Sequence, residues 1–328
     1  SLFLFFKIIY SFFKISFLNR KVQLLGNEIF SNNSINYWPI IKPYWEVSFK
    51  SIDLFKNLYY YHLIKNFVLK RISQHDKLFY LFENQPWERS LCFYYKKKFS
   101  KKKIIGISHT PIRFWDLRFF NSKKNNLGRY SPNIISFVNS YSQKIYKKDY
   151  KNQVFIKLEA LRYNNLKINF NNKKKEKILI IGDYLDSENL NMRSLIAKST
   201  LKNYDFLYLP HPSNKKIIYK QFSFLKSKNE LKLQNISKVI IPHISTSIIE
   251  YILNYKDVLV ILNDSMPNMS TLFMSSYNAK YIYDINDLNI KISEKKHNLP
   301  YKGSEFMPFG ANKKLIFWKK LLSNDFKK

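Results

Sequence analysis

The second half of the sequence carries a histidine that is placed to contact a phosphate group. His211 stands between Pro210 and Pro212, and these prolines restrict the backbone on both sides of it. An imidazole can donate a hydrogen bond to a phosphate oxygen and, when protonated, can assist the departure of a phosphate leaving group. Taken alone, the same pattern is also typical of a loop histidine without a ligand.

Three consecutive hydroxyl side chains follow about 35 residues later. Ser245, Thr246 and Ser247 open a predicted helix, and Glu250 lies in its first turn. Free N–H groups and the helix dipole make such a helix start an anion site, to which the hydroxyls add further donors. The alternative is a capping box, in which Thr246 or Ser247 and Glu250 only close the end of the helix.

Both elements follow predicted strands, and this position favours a ligand site. Alternating buried strands and helices indicate a parallel sheet with helices on both faces, and ligands bind such sheets beyond the carboxyl ends of the strands. Gly182 and Asp183 end the first strand of this half. The predicted strands are 177–183, 206–209, 239–241, 258–262 and 279–283, and the predicted helices are 188–202, a Lys-rich stretch after 212, 245–253 and 311–325.

The first half of the chain repeats this alternation. Apolar positions at helical spacing predict a helix over 54–72, and a second helix runs from about 89 to 95. Short apolar runs predict strands over 77–82, 104–108, 133–138 and 153–157. The polar stretch 170–177 is the predicted linker. The sequence therefore predicts an α/β protein with Rossmann-like domains over 1–172 and 173–310 and a C-terminal helix over 311–328.

Composition narrows the class of protein. With 328 residues, two domains are expected, and 45% apolar and 17% aromatic residues exclude a disordered chain. The net charge of +33 indicates an anionic partner, although general enrichment in Lys is an alternative explanation. No nucleic-acid-binding module is recognisable, so nucleic acid is not the expected partner. The single cysteine, Cys92, excludes an intrachain disulfide, is typical of the cytoplasm, and is predicted to be buried.

The N-terminal segment is rich in Phe, Ile and Leu but contains Lys7 and Lys14. A spanning helix needs about 20 apolar residues with few charges, so these lysines argue against one. We expect a helix that docks on the first domain, and the alternative is an amphipathic helix that lies on a membrane.

Longer motifs resemble those of known families. The His-Pro and Ser-Thr-Ser elements, in this order, resemble the CMP-binding elements of GT-B glycosyltransferases such as bacterial sialyltransferases and Kdo transferases. Wall-teichoic polymerases that use CDP-glycerol share a similar pair. The segments 85–89, 108–118, 159–163 and 182–184 are similar to bacterial surface-carbohydrate biosynthesis proteins, a resemblance that covers roughly 36–285.

The resemblance implies a GT-B fold, in which two Rossmann-like domains face each other across a cleft. It implies transfer of an ulosonic or nonulosonic sugar from a CMP donor to a surface polysaccharide or lipopolysaccharide. It also implies a metal-independent reaction with no cofactor. The single cysteine favours the cytoplasm, and the net charge suggests that the basic surface meets a lipid-linked glycan and anionic lipid at the inner face of the membrane. A CDP-polyol phosphotransferase and an inactive scaffold for glycan assembly are the alternatives.

Such a transferase implies roles for particular residues. A carboxylate or histidine must act near the anomeric carbon as base or nucleophile, and arginine can hold a sugar carboxylate unless it pairs with a neighbouring acidic residue. The catalytic candidates are Glu83, Glu88, His109, Asp116 and His211; the donor-binding candidates are Gly182, Asp183, His211, Pro212, Ser245, Thr246, Ser247 and Glu250; and the substrate-binding candidates are Gln85, Arg89, Arg113 and Arg118.

Overall fold

The structure is a computed structural model. It describes residues 2–29, 31–32, 35–36, 38–75, 77–113, 115–119, 127–150, 152–163, 177–199, 204–214, 223–224, 236–253, 257–272, 279–294, 305, 309 and 314–323. The predicted linker lies outside the described residues except for Lys177, and the predicted Lys-rich helix after 212 lies largely outside them as well.

The chain forms two compact units. The first consists of Ser1–Ile107, Lys123–Ile135 and Asn152–Val154, and the second of Ser108–Ser122, Ser136–Lys151 and Phe155–Lys328. The loop that follows residue 107 therefore belongs to the second unit. The domain limits at 172 and 310 stay a prediction.

Helices make up the beginning of the first unit. Helix α1 is Leu2–Ile29, and the short strands β1 (Ser31–Asn32) and β2 (Ile35–Asn36) that follow it pair antiparallel. Helix α2 is Trp38–Lys50 and α3 is Ile52–Leu63. A π-helical turn over Ile64–Val68 then leads into α4, Leu69–Arg71. The helix predicted over 54–72 is thus confirmed. Helix α1 is long and apolar enough to cross a membrane, which by length and composition fits a membrane anchor as well as a core helix.

The first sheet has four strands in sequential order, β3-β4-β5-β6. The first three pair in parallel. All four predicted strands of this half are confirmed. The elements are β3 (Lys77–Leu81), α5 (Pro86–Lys98), β4 (Lys103–Ile107), β5 (Ile134–Phe137), α6 (Ser140–Asp149) and β6 (Val154–Lys157), with short 3-10 helices at Leu117–Phe119, Leu127–Arg129 and Leu161–Tyr163.

The second sheet has six parallel strands in the order β12-β11-β10-β7-β8-β9. Its elements are β7 (Lys177–Ile181), α7 (Asp186–Lys198), β8 (Asp205–Leu209), β9 (Ser223–Phe224), β10 (Ile236–Pro242), α8 (Ile248–Leu253), β11 (Asp257–Ile261), β12 (Lys280–Ile282), α9 (Ile285–Ser293) and α10 (Ile316–Leu322). Strands β8 and β9 follow β7 on one side of it. The chain then crosses to the other side of β7, where β10, β11 and β12 are added in turn. This is the strand order of dinucleotide-binding sheets, and it places the switch point between β7 and β10.

Both faces of this sheet are covered by apolar layers. On β7, Leu179 and Ile181 belong to one core cluster, whereas Ile178 and Ile180 belong to another. Successive side chains of a strand point to opposite faces, so a strand with two covered faces needs a continuous apolar run. That requirement explains why these strands were recognisable from sequence, and the predicted parallel α/β architecture is confirmed.

Cys92 lies in the core of the first unit. Its side chain is fully buried, and its Sγ atom lies 3.4 Å from the hydroxyl oxygen of Tyr80. Burial raises the pKa of the Cys92 thiol to about 12. The predicted buried cysteine is confirmed.

Candidate functional site

Three loops of the second unit meet at the carboxyl ends of adjacent strands. Gly182 and Asp183 follow β7, His211 follows β8, and the segment 243–247 follows β10. Because β7 lies between β10 and β8, the candidate donor-binding residues are brought to one edge of the sheet, at its switch point.

Gly182 is required by the close approach of the β8 strand. A Cβ atom at this position would lie 2.5 Å from the Tyr208 hydroxyl oxygen and 3.1 Å from the Pro210 Cα atom. Tyr208 is almost fully buried and cannot swing into solvent.

We therefore expect Gly182→Ala to lower the free energy of unfolding by about 1–3 kcal/mol, as overpacking of a core does. Urea denaturation measures this loss. The control is Ser194→Ala, on the exposed face of α7, which should change stability by less than about 0.5 kcal/mol. Equal stabilities for Gly182→Ala and the wild type would contradict the close approach.

Asp183 is buried at the start of the loop between β7 and α7. Its N–H donates to the Asn189 side-chain oxygen (2.8 Å), the Asn189 amide donates back to the Asp183 carbonyl (2.8 Å), and the Leu185 N–H donates to its carboxylate (2.9 Å). Burial raises the pKa of Asp183, while the Leu185 N–H and the charges of His211 and Arg113 oppose that rise. The Asp183 carboxylate is therefore close to the cationic Arg113 side chain and to His211, which is cationic when protonated.

His211 is held in a turn by its own neighbours. Its Nδ1 atom accepts the Ser213 N–H (3.2 Å) and lies 2.7 Å from the Ser213 hydroxyl, and its ring packs edge-on against Tyr184. Because Nδ1 accepts, the neutral ring carries its proton on Nε2. Among the described residues none hydrogen bonds to Nε2, so this atom can donate to a ligand. Pro212 is exposed in the same turn.

The Ser-Thr-Ser segment precedes the helix instead of opening it. Helix α8 begins at Ile248, three residues later than predicted, because Ser245 Oγ hydrogen bonds to Ser247 Oγ (2.8 Å) and accepts the Ser247 N–H (3.4 Å). Such local side-chain bonds compete with helix formation. The three side chains, including Thr246, are half-buried, and their hydroxyls can rotate toward a ligand.

Arg113 joins the loop after β4 to this segment. Its guanidinium donates to the Ile244 carbonyl (2.6 Å), directly before Ser245. Burial lowers the pKa of Arg113, while nearby Asp116 and Asp183 oppose that shift. The guanidinium also helps to lower the pKa of His243. A partly desolvated cation thus lies at the switch point, where an anionic ligand would compensate its lost hydration.

A buried acid–histidine pair lies beside this cation. His243 and Glu188 are fully buried, and the His243 Nε2 atom lies 3.6 Å from a Glu188 carboxylate oxygen. Nδ1 of His243 accepts the Met269 N–H (2.9 Å), and the other Glu188 oxygen accepts from Asn263 (2.6 Å). Burial lowers the pKa of His243 to about 4 and raises the pKa of Glu188. The ring is therefore neutral at neutral pH, and among the described residues its Nε2 atom and the nearer Glu188 oxygen have no hydrogen-bond partner.

Two acidic residues of the second unit, Glu250 and Glu159, have structural partners. A carboxylate oxygen of Glu250 lies 3.8 Å from the Nε atom of Arg162. The buried Glu159 accepts the N–H groups of Phe317 (2.9 Å) and Trp318 (3.2 Å) at the start of α10. The 159–163 motif thus contacts α10 through Glu159 and α8 through Arg162.

The remaining candidates of the second unit lie in the loop after β4. Asp116 forms a salt bridge with the exposed Arg118 (2.8 Å), the pairing that was the alternative to a ligand role for this arginine. His109 is half-buried near the start of the loop. Within the described part of the chain, no group of three or more His, Cys, Asp or Glu side chains could hold a metal ion. The metal-independent reaction stays a prediction.

Four candidates cluster at the start of α5 in the first unit. Both carboxylate oxygens of the buried Glu88 accept the Glu83 N–H (3.1 Å each), and one also accepts the Asn84 N–H (2.8 Å). Gln85 caps the helix with its carbonyl, and the exposed Arg89 donates weakly to the Asn84 side chain (3.4 Å). The carboxylate of Glu88 is thus used to fold the loop before α5, in which Asn84 has a positive φ of 59°.

The buried Glu188 and Asn189 and the half-buried Asn263 were not identified from the sequence. Each is an ordinary polar residue at its position, and Glu188 and Asn263 are 75 positions apart, so no spacing signals their contact. The carboxamide of Asn189, six positions after Asp183 in the helix that follows the Gly-Asp strand end, is a local signal that could have been used.

Comparison with known proteins adds no relative to this description. No model of a protein family matches the sequence, and no curated protein matches it.

Proposed function

We propose that the protein is a glycosyltransferase of the GT-B type. In this proposal it transfers an acidic ulosonic or nonulosonic sugar from a CMP donor to a bacterial surface polysaccharide or lipopolysaccharide. The observation that carries the proposal is the Arg113 guanidinium, which is tied to the Ile244 carbonyl at the switch point of a parallel sheet. A desolvated cation beside rotatable hydroxyls favours a phosphate or carboxylate ligand.

The proposed donor site uses the three loops at this edge. Ser245 and Ser247 hydroxyls, which bond to each other, would turn to donate to the phosphate of CMP. His211 would donate from Nε2 to the same phosphate and, when protonated, stabilise the departing CMP. Arg113 would neutralise the phosphate or the sugar carboxylate. Gly182 would hold the loop that carries Asp183 close to Tyr208 and Pro210, where a Cβ atom has no room.

We assign the acid–base role to the loop that carries Arg113. His109 and Asp116 belong to that loop, so they are the candidates that share a unit with the donor site. Glu88 is assigned a structural role because three backbone N–H contacts engage its carboxylate. The proposal includes a cytoplasmic enzyme at the inner face of the membrane.

The donor is tested by thermal-shift measurements with CMP, CDP, UDP and GDP. We expect CMP to raise the melting temperature, since a ligand that binds only the folded state stabilises it. The variant His211→Ala should reduce turnover with the correct donor by about tenfold or more, as the loss of a general acid does. His211 lies in a turn with partial exposure, so the fold should tolerate the change.

The matched control is His75→Ala, an exposed histidine of the first unit, which should leave turnover unchanged. Unchanged kinetics for His211→Ala would remove this residue from the mechanism. Stabilisation by CDP with polyol-phosphate transfer would replace the proposal by a phosphotransferase, and stabilisation by no nucleotide would replace it by a scaffold.

A further inference from the structure

The outward face of α1 is a continuous apolar stripe. It consists of Phe3, Phe6, Tyr10, Phe13, Phe17 and Leu24, which recur at intervals of three, four or seven residues and so lie along one side of the helix. Their exposure is high: 67% for Phe13, 73% for Phe17 and 83% for Leu24. Side chains of this size rarely stay in water as a contiguous patch unless a partner covers them.

The opposite face of α1 is held by the first unit. Ser11 lies 2.8 Å from the His62 ring nitrogen of α3, and Asn19 accepts the Trp45 indole N–H of α2 (2.7 Å). Phe12 stacks on Phe55 of α3 at 4.8 Å. Near the end of α1, Gly26 is buried against Trp38, and a Cβ atom there would come within 2.2 Å of the indole ring. The helix is therefore supported along its length, and the stripe lies on the side away from these contacts.

The flanks of the stripe are basic. Lys14 follows Tyr10 by four residues, and Arg20 and Lys21 follow Phe17 by three and four, so the three cations border the stripe. Residues 2–27 contain no Asp or Glu. Long basic side chains beside an apolar helix face suit a bilayer surface that carries negative charge. Pairing with a second copy would instead oppose like charges across the contact.

We infer that α1 lies in the interface of an anionic lipid bilayer, with the stripe inserted among the acyl chains and Lys14, Arg20 and Lys21 at the level of the headgroups. The axis of the helix runs parallel to the membrane, because a spanning orientation would surrender the contacts of α1 with α2 and α3. This inference concerns the first unit alone and is independent of the proposed reaction.

Flotation of the full-length chain with lipid vesicles tests the inference. One set of vesicles contains phosphatidylcholine alone, and the other an equal mixture of phosphatidylcholine and phosphatidylglycerol. We expect the wild type to float with the mixed vesicles and much less with phosphatidylcholine. The double variant Phe13→Ser/Phe17→Ser should lose binding by about tenfold or more because it removes two inserted aromatic rings.

The matched control is Leu190→Ser/Ile290→Ser, which removes two exposed apolar side chains of the second unit (56% and 60% exposed). This control should bind as the wild type does. Circular dichroism and melting temperature verify that both double variants are folded, which is expected because all four side chains lie largely in water.

Several outcomes would overturn the inference. The first is that the wild type does not bind vesicles. The second is that the Phe13→Ser/Phe17→Ser variant binds as well as the wild type. The third is that the control double variant loses as much binding as the Phe13→Ser/Phe17→Ser variant does. A wild-type dimer that the Phe13→Ser/Phe17→Ser variant dissociates, without vesicle binding, would identify a second copy as the occupant. Release of bound protein by alkaline carbonate supports the parallel orientation, whereas retention would indicate a helix that spans the bilayer.

Discussion

Replacing Glu88 by alanine is expected to lower the free energy of unfolding by about 3 kcal/mol. The change would leave the N–H groups of Glu83 and Asn84, which now donate to the carboxylate, without their acceptor. An unsatisfied buried donor costs about 1–3 kcal/mol, and two are affected. Urea denaturation at pH 5 measures the loss, and the exposed Glu28→Ala serves as the control with a change below about 0.5 kcal/mol.

The same residue should make stability depend on pH. Burial raises the pKa of Glu88 from 4.5 to about 7, against the opposing effect of the backbone N–H donors. A raised pKa favours the protonated form in the folded state, so the associated stability is present below pH 4.5 and is lost as the pH rises through about 7. The neutral variant Glu88→Gln should lack this decline. A wild type and a Glu88→Gln variant with parallel pH profiles, or a small loss in Glu88→Ala, would return Glu88 to the catalytic candidates.

Replacing Asp257 by alanine is expected to cost about 3–5 kcal/mol of stability, as the removal of one partner from a buried ion pair does. Asp257 lies at the start of β11 and accepts from Lys238 (2.6 Å) and Lys280 (3.2 Å), and all three side chains are largely buried. Without the carboxylate, two ammonium groups would stay in a poorly hydrated place. Lys280 would keep the Glu294 carboxylate (3.2 Å), and Lys238 would keep the Glu294 carbonyl (2.8 Å).

The chain offers a matched control in Asp205, at the start of β8. Its salt bridge with Lys177 is short (2.7 Å), but both side chains are 40% or more exposed, so Asp205→Ala should cost less than about 1 kcal/mol. Chemical denaturation compares the two variants. Losses of the same size would show that burial does not decide the strength of these pairs. Because both residues lie at the amino ends of their strands, neither change should alter nucleotide binding.

The strands could be predicted from the sequence because their environment imposes a pattern. A strand covered on both faces, such as β7, must be apolar at each position, and the run 178–181 meets that condition. The order of the strands could not be predicted in this way. The apolar runs of β8 and β10 are alike, and nothing in them specifies that β7 pairs with both.

The candidate site was predictable only in part, for a similar reason. His211 and the Ser-Thr-Ser segment were found because each follows a strand. The contact of Arg113 with Ile244 joins residues 131 positions apart, so no local pattern encodes it. Glu88 was chosen as a carboxylate near a strand end, but the sequence could not reveal that the loop before α5 folds around it. The periodicity of apolar residues along the chain can be read from the sequence, but the direction in which a side chain points and its distance from other side chains depend on tertiary packing.

The burial of Cys92 has a practical consequence for experiments on this chain. It is the only thiol in the sequence, it is enclosed by the core, and its raised pKa keeps it protonated at neutral pH. Thiolate is the reactive form, so maleimide dyes should pass over this residue in the native protein. A cysteine introduced at Phe13 or beside His211 would then be the single labelled site, and one fluorophore could report lipid contact or nucleotide binding without any background substitution.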